Sequence, residues 1–194
     1  KMITHLKGKL VEKSPTGVVI DCNGIGYFVH ISLNTFSQIP DQESITLLTH
    51  LQVKEDAHKL YGFATLTERE IFRLLISVSG IGTNTARTML SSLSPEEIRN
   101  GISSENVGLI QSVKGIGLKT AQRVIIELKD KVLKIYNIDK SPSVSNNTNK
   151  DEALSALEVL GFGKKQTELV IAKIISQSPN KSVEEIIKEA LKNL

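Results

Sequence analysis

Tryptophan is absent from this 194-residue chain, aromatic residues make up 4% of it, and cysteine occurs once, at Cys22. A lone cysteine closes no internal disulfide and fits a reducing compartment. In a strand it reads as a small buried residue. His5, His30, His50 and His58 are scattered through the N-terminal third without i, i+4 spacing or cysteine partners, so neither a metal nor any other cofactor is expected. No apolar run approaches the length of a membrane span and no signal-peptide pattern opens the chain, which points to a cytoplasmic protein. No Gly-x-x-x-x-Gly-Lys-[Ser/Thr] occurs either. The nearest run, Gly163-Lys164-Lys165, lacks the first glycine and has lysine where a hydroxyl residue belongs, so ATP hydrolysis is not expected. Charge is also modest: net +3 is too mild to demand a nucleic acid, and any phosphate argument must rest on local placement.

What the chain does have is a repeat. Val78-Ser79-Gly80-Ile81-Gly82 returns thirty-five residues later as Val113-Lys114-Gly115-Ile116-Gly117. The match extends outward, with Leu74 against Leu109, Leu75 against Ile110, Thr85 against Thr120, Ala86 against Ala121, Met89 against Val124 and Leu90 against Ile125. Each copy reads as an apolar-periodic stretch, a glycine break and a second periodic stretch, which describes two helices joined by a tight hairpin. Paired glycines let backbone approach a ligand closely, and the following helix offers unpaired N–H groups and the positive end of its dipole. The central isoleucine is expected to plug into the core. Such a clamp reads no base, so it predicts sequence-independent binding to a nucleic-acid backbone. One such turn is equally well explained as packing between helices; two in register favour helix-hairpin-helix binding. The candidate residues are Gly80, Ile81, Gly82, Thr83, Asn84 and Thr85 in the first copy. In the second they are Gly115, Ile116, Gly117, Leu118, Lys119, Thr120 and Arg123, although Arg123 reads as well as a solvated surface residue.

The 40% hydrophobic content supports one to three small cores, and the pattern divides the chain as a multidomain α+β protein. Residues 1–63 alternate with period two and carry turn signals at Pro15-Thr16-Gly17 and Asn23-Gly24, predicting a five-stranded β-barrel of the oligonucleotide-binding (OB) type. A short helix over Leu33 to Ile39, stopped by Pro40, would cover one opening. Residues 64–138 have helical period, with Thr67-Glu68-Arg69-Glu70 and Ser94-Pro95-Glu96-Glu97 as helix-opening boxes. Residues 139–150 hold almost no apolar side chain and read as a flexible linker. Residues 151–194 predict three short amphipathic helices, the last opened by Ser182-Val183-Glu184-Glu185. The Leu160-Gly161-Phe162-Gly163 turn among them is read as a packing turn of a ubiquitin-associated-type (UBA-like) module rather than a third clamp, and a tethered module of this size suits protein docking.

Barrel, tandem Gly-Ile-Gly hairpins, polar linker and small terminal helical module, in this order, resemble the bacterial RuvA family over essentially the whole chain. The most specific pieces are Val53-Lys54-Glu55-Asp56-Ala57 followed by Leu60-Tyr61-Gly62-Phe63, with Ile3-Thr4-His5-Leu6-Lys7-Gly8 and Gly24-Ile25-Gly26-Tyr27 also fitting. The resemblance implies a non-catalytic homotetramer, alone or as two tetramers face to face, that holds a four-way (Holliday) DNA junction open and square during recombination and repair. It implies that the hairpins grip the arms and that Glu55 and Asp56 form an acidic pin at the crossover; without it, Glu-Asp at a turn reads as an ordinary polar turn. It further implies that a hexameric ATPase, RuvB, drives branch migration and docks on residues 151–194, and that a junction-cutting nuclease, RuvC, shares the DNA face. Docking needs exposed apolar side chains, for which Leu157, Leu160, Phe162, Ile187 and Leu191 are the candidates, although a module this small is expected to use most of them in its own core. Thr83-Asn84 stands where the family often has proline and lysine, and Leu118 precedes Lys119 where a lysine pair is common, so fewer cations are expected at phosphate. A helix-hairpin-helix glycosylase would need pocket and wedge residues that are not evident. A single-strand-binding barrel would need exposed stacking aromatics, whereas Tyr27, Phe28, Phe36, Tyr61 and Phe63 read as structural.

Overall fold

A computed structural model of the chain describes residues 2–40, 43–135, 149–178 and 181–194. It divides into two compact units, Lys1–Lys140 and Ser141–Leu194.

The first unit begins with strands β1 (His5–Ser14), β2 (Gly17–Cys22) and β3 (Ile25–Ile31), helix α1 (Leu33–Gln38), and strands β4 (Ser44–Val53) and β5 (His58–Phe63). The strands close in the order β1-β2-β3-β5-β4, every pairing antiparallel except β3 with β5. This is the expected OB-type barrel. The β2–β3 turn has Asn23 at φ 55° and Gly24 at φ 90°, the left-handed pair of a type I′ hairpin. A register shift in β1 between Leu10 and Glu12 lets that long strand bend from β2 to β4. Alternation then sorts the side chains. Val18, Ile20, Val29, Ile31, Ile45, Leu47 and Leu60 fill the interior, where the core leaves no room at Gly62: a Cβ there would lie 2.6 Å from Val29 Cγ1.

Two small expectations fail in the barrel. Cys22 is only half-buried, at the end of β2, where its Sγ–H donates to the Lys7 carbonyl oxygen at 3.3 Å. Phe28 is exposed rather than structural, because β3 turns it to the outer face, edge-on to His30.

The same alternation directs Tyr61 and Phe63 outward, onto the helices. These are α2 (Leu66–Ile76), α3 (Thr83–Ser92), α4 (Pro95–Ser103), α5 (Val107–Gln111) and α6 (Leu118–Ile135). Phe72 of α2 meets Tyr61 and Phe63 at ring-centroid distances of 5.2 and 4.9 Å, and with Leu75, Met89, Leu90, Ile98, Ile102, Ile110, Val124, Leu128 and Val132 they form one core. The change of secondary structure at residues 63 and 64 is therefore not a break in packing.

A buried carboxylate ties this seam together. Helix α2 opens at Thr65, whose side chain accepts from the Glu68 N–H, and not at Thr67 as the sequence suggested. That shift places Glu68 inward, so it does not close a capping box. Ser32 Oγ donates to its Oε1 at 2.5 Å and Thr35 Oγ1 to its Oε2 at 2.7 Å. Ser32 is also the N-cap of α1, accepting from Thr35 N at 2.9 Å, so one network sets both helix starts. Arg87 to the Thr16 carbonyl at 3.1 Å and Arg69 to the Thr4 carbonyl at 3.0 Å tie further helix positions to barrel loops.

The second unit contains α7 (Asn149–Val159), α8 (Lys164–Gln177) and α9 (Val183–Asn193), packed on Ala153, Leu157, Ile171, Ile174, Ile186 and Ala190. Both remaining capping boxes occur as read, at Ser94 with Glu97 and Ser182 with Glu185. Of the stretch read as a linker, Asn149 and Lys150 open α7 and the rest lies outside the described residues.

Burial holds the Glu68 pKa above the ordinary value of 4.5, outweighing hydrogen bonds from Ser32, Thr35, Asn34 and Ala64 that act the other way. The folded chain thus binds this proton more tightly than the unfolded one. The contribution is fully present below pH 4.5 and is lost as pH rises from there through the raised folded value. Glu68→Gln is expected to remove that decline from a stability-against-pH curve. Glu68→Ala, which strips two buried hydroxyls of their acceptor, is expected to lower the unfolding free energy by about 2–4 kcal/mol in urea titrations.

Candidate nucleic-acid interface

The two glycine turns fold on one hydrogen-bond plan. In the first, Ile81 N donates to the Val78 carbonyl at 3.1 Å and Ala86 N to the Gly82 carbonyl at 2.9 Å. In the second, Ile116 N donates to Val113 at 3.1 Å and Ala121 N to Gly117 at 2.9 Å. Gly80 sits at φ +96° and Gly115 at φ +93°, a region that residues with a Cβ rarely occupy. Between the glycines, Ile81 and Ile116 are each only 5% exposed and belong to the helical core, as expected. Full burial of such a side chain is worth roughly 1.5–3 kcal/mol, enough to hold each loop in one shape.

Gly82 shows what the loop shape leaves over. It is the N-cap of α3 at φ −84°, ψ 168°, a conformation open to any residue, yet it makes no side-chain cap bond. A serine or aspartate there would satisfy first-turn N–H groups. A Cβ added at Gly80, Gly82, Gly115 or Gly117 would meet nothing within 4 Å. Packing therefore does not demand glycine at Gly82. What glycine leaves is bare, outward backbone at a helix start, the arrangement that suits a phosphate oxygen.

The two turns are neighbours in space. Arg123 of α6 donates through Nη1 to the Ser79 carbonyl in the first loop at 3.3 Å, and its Nε lies 3.8 Å from Glu127. Arg123 is exposed and bridges the two hairpins, so it is neither a simple solvated residue nor a free cation. Asn84, Leu118 and Lys119 are exposed beside the turns, and Thr85 and Thr120 half-buried. Lys114, inside the second turn and exposed, is a further cation beside the site, and its place next to Gly115 is the sequence signal for it.

Thr83 departs from expectation. Its hydroxyl is buried, donating to Gln52 Oε1 at 3.2 Å and accepting from Tyr61 Oη at 2.9 Å, so its proton is not offered to a phosphate. Its backbone N–H remains in the first turn of α3.

Glu55 and Asp56 are exposed at the tip of the β4–β5 hairpin, where Lys54 N donates to the Ala57 carbonyl at 2.9 Å. Two carboxylates there repel phosphate. Among the described residues no group of three or more His, Cys, Asp or Glu could hold a metal ion, and no helix is long and apolar enough to cross a membrane.

In the second unit Leu157 is fully buried, one turn after Ala153 on the inner face of α7, so it cannot be a contact for a partner. Phe162 and Ile187 are half-buried against the same core, while Leu160 and Leu191 are exposed. Val159 and Leu169 are more exposed still, at 87% and 74%, and were missed because helical period alone cannot assign them to an outer face. The Leu160–Gly163 turn has Gly161 at φ +97° and an uncapped Gly163 starting α8, but Phe162 N reaches back to the Leu157 carbonyl at 3.1 Å, a bond that neither hairpin shows.

An OB-type barrel fused to two helix-hairpin-helix turns, with an acidic ribbon tip on the barrel and a separate three-helix unit, defines a class of multidomain proteins assembled from folds that often bind nucleic acids. Family comparisons agree segment by segment: residues 2–62 match the RuvA N-terminal domain, residues 72–130 the SAM-like helix-hairpin-helix tandem, and residues 148–194 the RuvA C-terminal domain. Over the full length of both chains, the sequence is 64% identical to the Holliday junction branch migration complex subunit RuvA of Christiangramia forsetii and 63% to that of Flavobacterium psychrophilum. The counterpart in Bacteroides thetaiotaomicron is 49% identical, again over both whole chains. The chain belongs to the RuvA family of Holliday junction branch migration complex subunits.

Gly82→Ala and Gly117→Ala meet no steric block, and at Gly82 the weaker N-cap of alanine offsets its gain in the unfolded chain, so each is expected to shift the melting temperature by only a few degrees while weakening DNA binding about 10-fold, measured by fluorescence anisotropy on a duplex. Unchanged affinity would remove these loops from the interface.

Proposed function

We propose that this chain binds four-way DNA junctions by structure rather than sequence, holding them open and square as the non-catalytic subunit of a branch migration complex. The observation that carries this reading is the pair of adjacent, identically built glycine turns. Each presents bare helix-start backbone with open space above it, and Arg123 joins the two. Phosphates of the junction arms fit such turns, and a tetramer of the chain would multiply two modest clamps into eight.

Glu55 and Asp56 act at the crossover. Carboxylates on an exposed ribbon tip add no attraction for DNA, so their contribution is to selectivity: they keep arms from folding together and disfavour strands re-pairing as they pass. The terminal unit, residues 149–194, recruits and regulates a RuvB-type hexameric ATPase through exposed Val159, Leu160, Leu169 and Leu191, and a RuvC-type nuclease reaches the DNA face left open.

The exposed ring of Phe28 is the observation that favours a second reading, single-strand stacking on the barrel. One aromatic does not make a stacking row. The rival nevertheless sets a control in the deciding experiment.

That experiment is a competition gel shift at fixed salt, with a labelled four-way junction challenged by excess linear duplex and by single strands of the same sequence. Retention of the junction under both competitors is the expected result; equal competition by duplex would leave a general backbone binder, and preference for single strands would favour the rival. Glu55→Gln combined with Asp56→Asn is expected to keep or tighten junction binding while reducing junction-over-duplex preference about 10-fold, since two charges are removed near phosphate. Unchanged discrimination would return the tip to an ordinary turn.

A further inference from the structure

The acidic ribbon and the first glycine turn are joined by a short, partly buried chain of hydrogen bonds. Gln52 lies on β4, opposite Lys59 of β5 and one residue before the last strand pair, Val53 with His58. Beyond it the ribbon loses lateral support: Val53, Lys54, Glu55 and Asp56 are all exposed. A two-stranded ribbon alone holds its direction weakly. Gln52 is therefore well placed to steer it, and its Oε1 accepts from Thr83 Oγ1 at 3.2 Å. Thr83 is the first residue of α3, directly after Gly82, and its hydroxyl accepts from Tyr61 Oη at 2.9 Å. Tyr61 in turn is fixed by its ring contact with Phe72 in the helical core.

We propose that the chain Tyr61–Thr83–Gln52 sets the position of the acidic pin against the first hairpin, making Thr83 a positioning residue for junction selectivity and not a phosphate contact. The proposal rests on the reading above that Glu55 and Asp56 act at the crossover. Its chemistry is one-sided. With its proton given to Gln52 and one lone pair occupied by Tyr61, the hydroxyl retains only acceptor capacity, which a phosphate oxygen does not want. The backbone N–H of Thr83 is untouched by this arrangement. A loop that moves toward a phosphate pulls on Thr83, and Thr83 pulls on the ribbon near its tip.

Thr83→Val keeps the β-branched shape and the backbone N–H while removing both side-chain hydrogen bonds. Full-length protein carrying it is expected to bind linear duplex within about twofold of the unaltered chain and to lose about 5–10-fold in junction-over-duplex preference, with Thr83→Ser restoring the preference. Gln52→Leu, at a half-buried site, should reproduce the loss and serves if the valine variant folds poorly. The test that separates positioning from general support is a cycle: in the Glu55→Gln, Asp56→Asn background, Thr83→Val should produce no further loss of preference, because the group it positions is gone. Unchanged preference in both Thr83→Val and Gln52→Leu overturns the proposal, as does an equal loss against junction and duplex, which would make the hydroxyl a backbone contact. Additive losses in the cycle overturn it too. If the unaltered chain itself showed no preference for junctions, the functional reading would fall first and this inference with it.

Discussion

The first unit depends on one seam, where the outward rings of β5 meet the first long helix. Tyr61 and Phe63 are on the barrel by hydrogen bonding and in the helical core by packing. Aromatic contacts of this kind bury large areas. Glu68 adds a fixed direction, because a buried carboxylate must keep its donors and its hydroxyl donors, Ser32 and Thr35, stand at the start of α1. The barrel and the helices are thereby held in one relative orientation. That orientation fixes where the glycine turns lie with respect to the acidic ribbon.

Polar groups in the seam divide into two kinds. The Ser32–Thr35–Glu68 network contains a group that prefers to be neutral when buried and is held by hydroxyls on two sides. The Tyr61–Thr83–Gln52 chain involves no ion pair, so salt screens it little. If the hairpins hold DNA as proposed, a link without ion pairs suits that place, because ionic contacts there would compete with phosphates and be screened by counterions. Arg123 shows the alternative, a cation spending a hydrogen bond on the neighbouring turn while keeping an exposed guanidinium.

The terminal unit follows a different rule. Three short helices bury a small core of alanines, isoleucines and one leucine, and they leave Val159 and Leu169 in water. A domain this small has few apolar residues to spare for its surface. Surface ion pairs such as Lys188 with Glu184, and Lys181 with Glu189, decorate α9 and add little stability.

Much of the architecture was legible in order of residues alone. Period-two alternation with Asn23-Gly24 and Pro15-Thr16 marks the barrel strands, and the thirty-five-residue repeat marks the hairpins, because backbone geometry at these points depends on local steric limits. The burial of Ile81 and Ile116 follows from the same local logic. Thr83, Glu68 and Phe28 depart from the sequence reading for a shared reason. Whether a hydroxyl, a carboxylate or a ring faces water is decided by what packs against it from elsewhere in the chain, and Gln52 is thirty-one residues from Thr83, as Ser32 is thirty-six from Glu68. The sequence by itself determined which turns bend and which faces are apolar; only the tertiary structure decided which polar groups are left free to meet a ligand, since hydrogen-bond capacity is consumed by partners that no local pattern reveals.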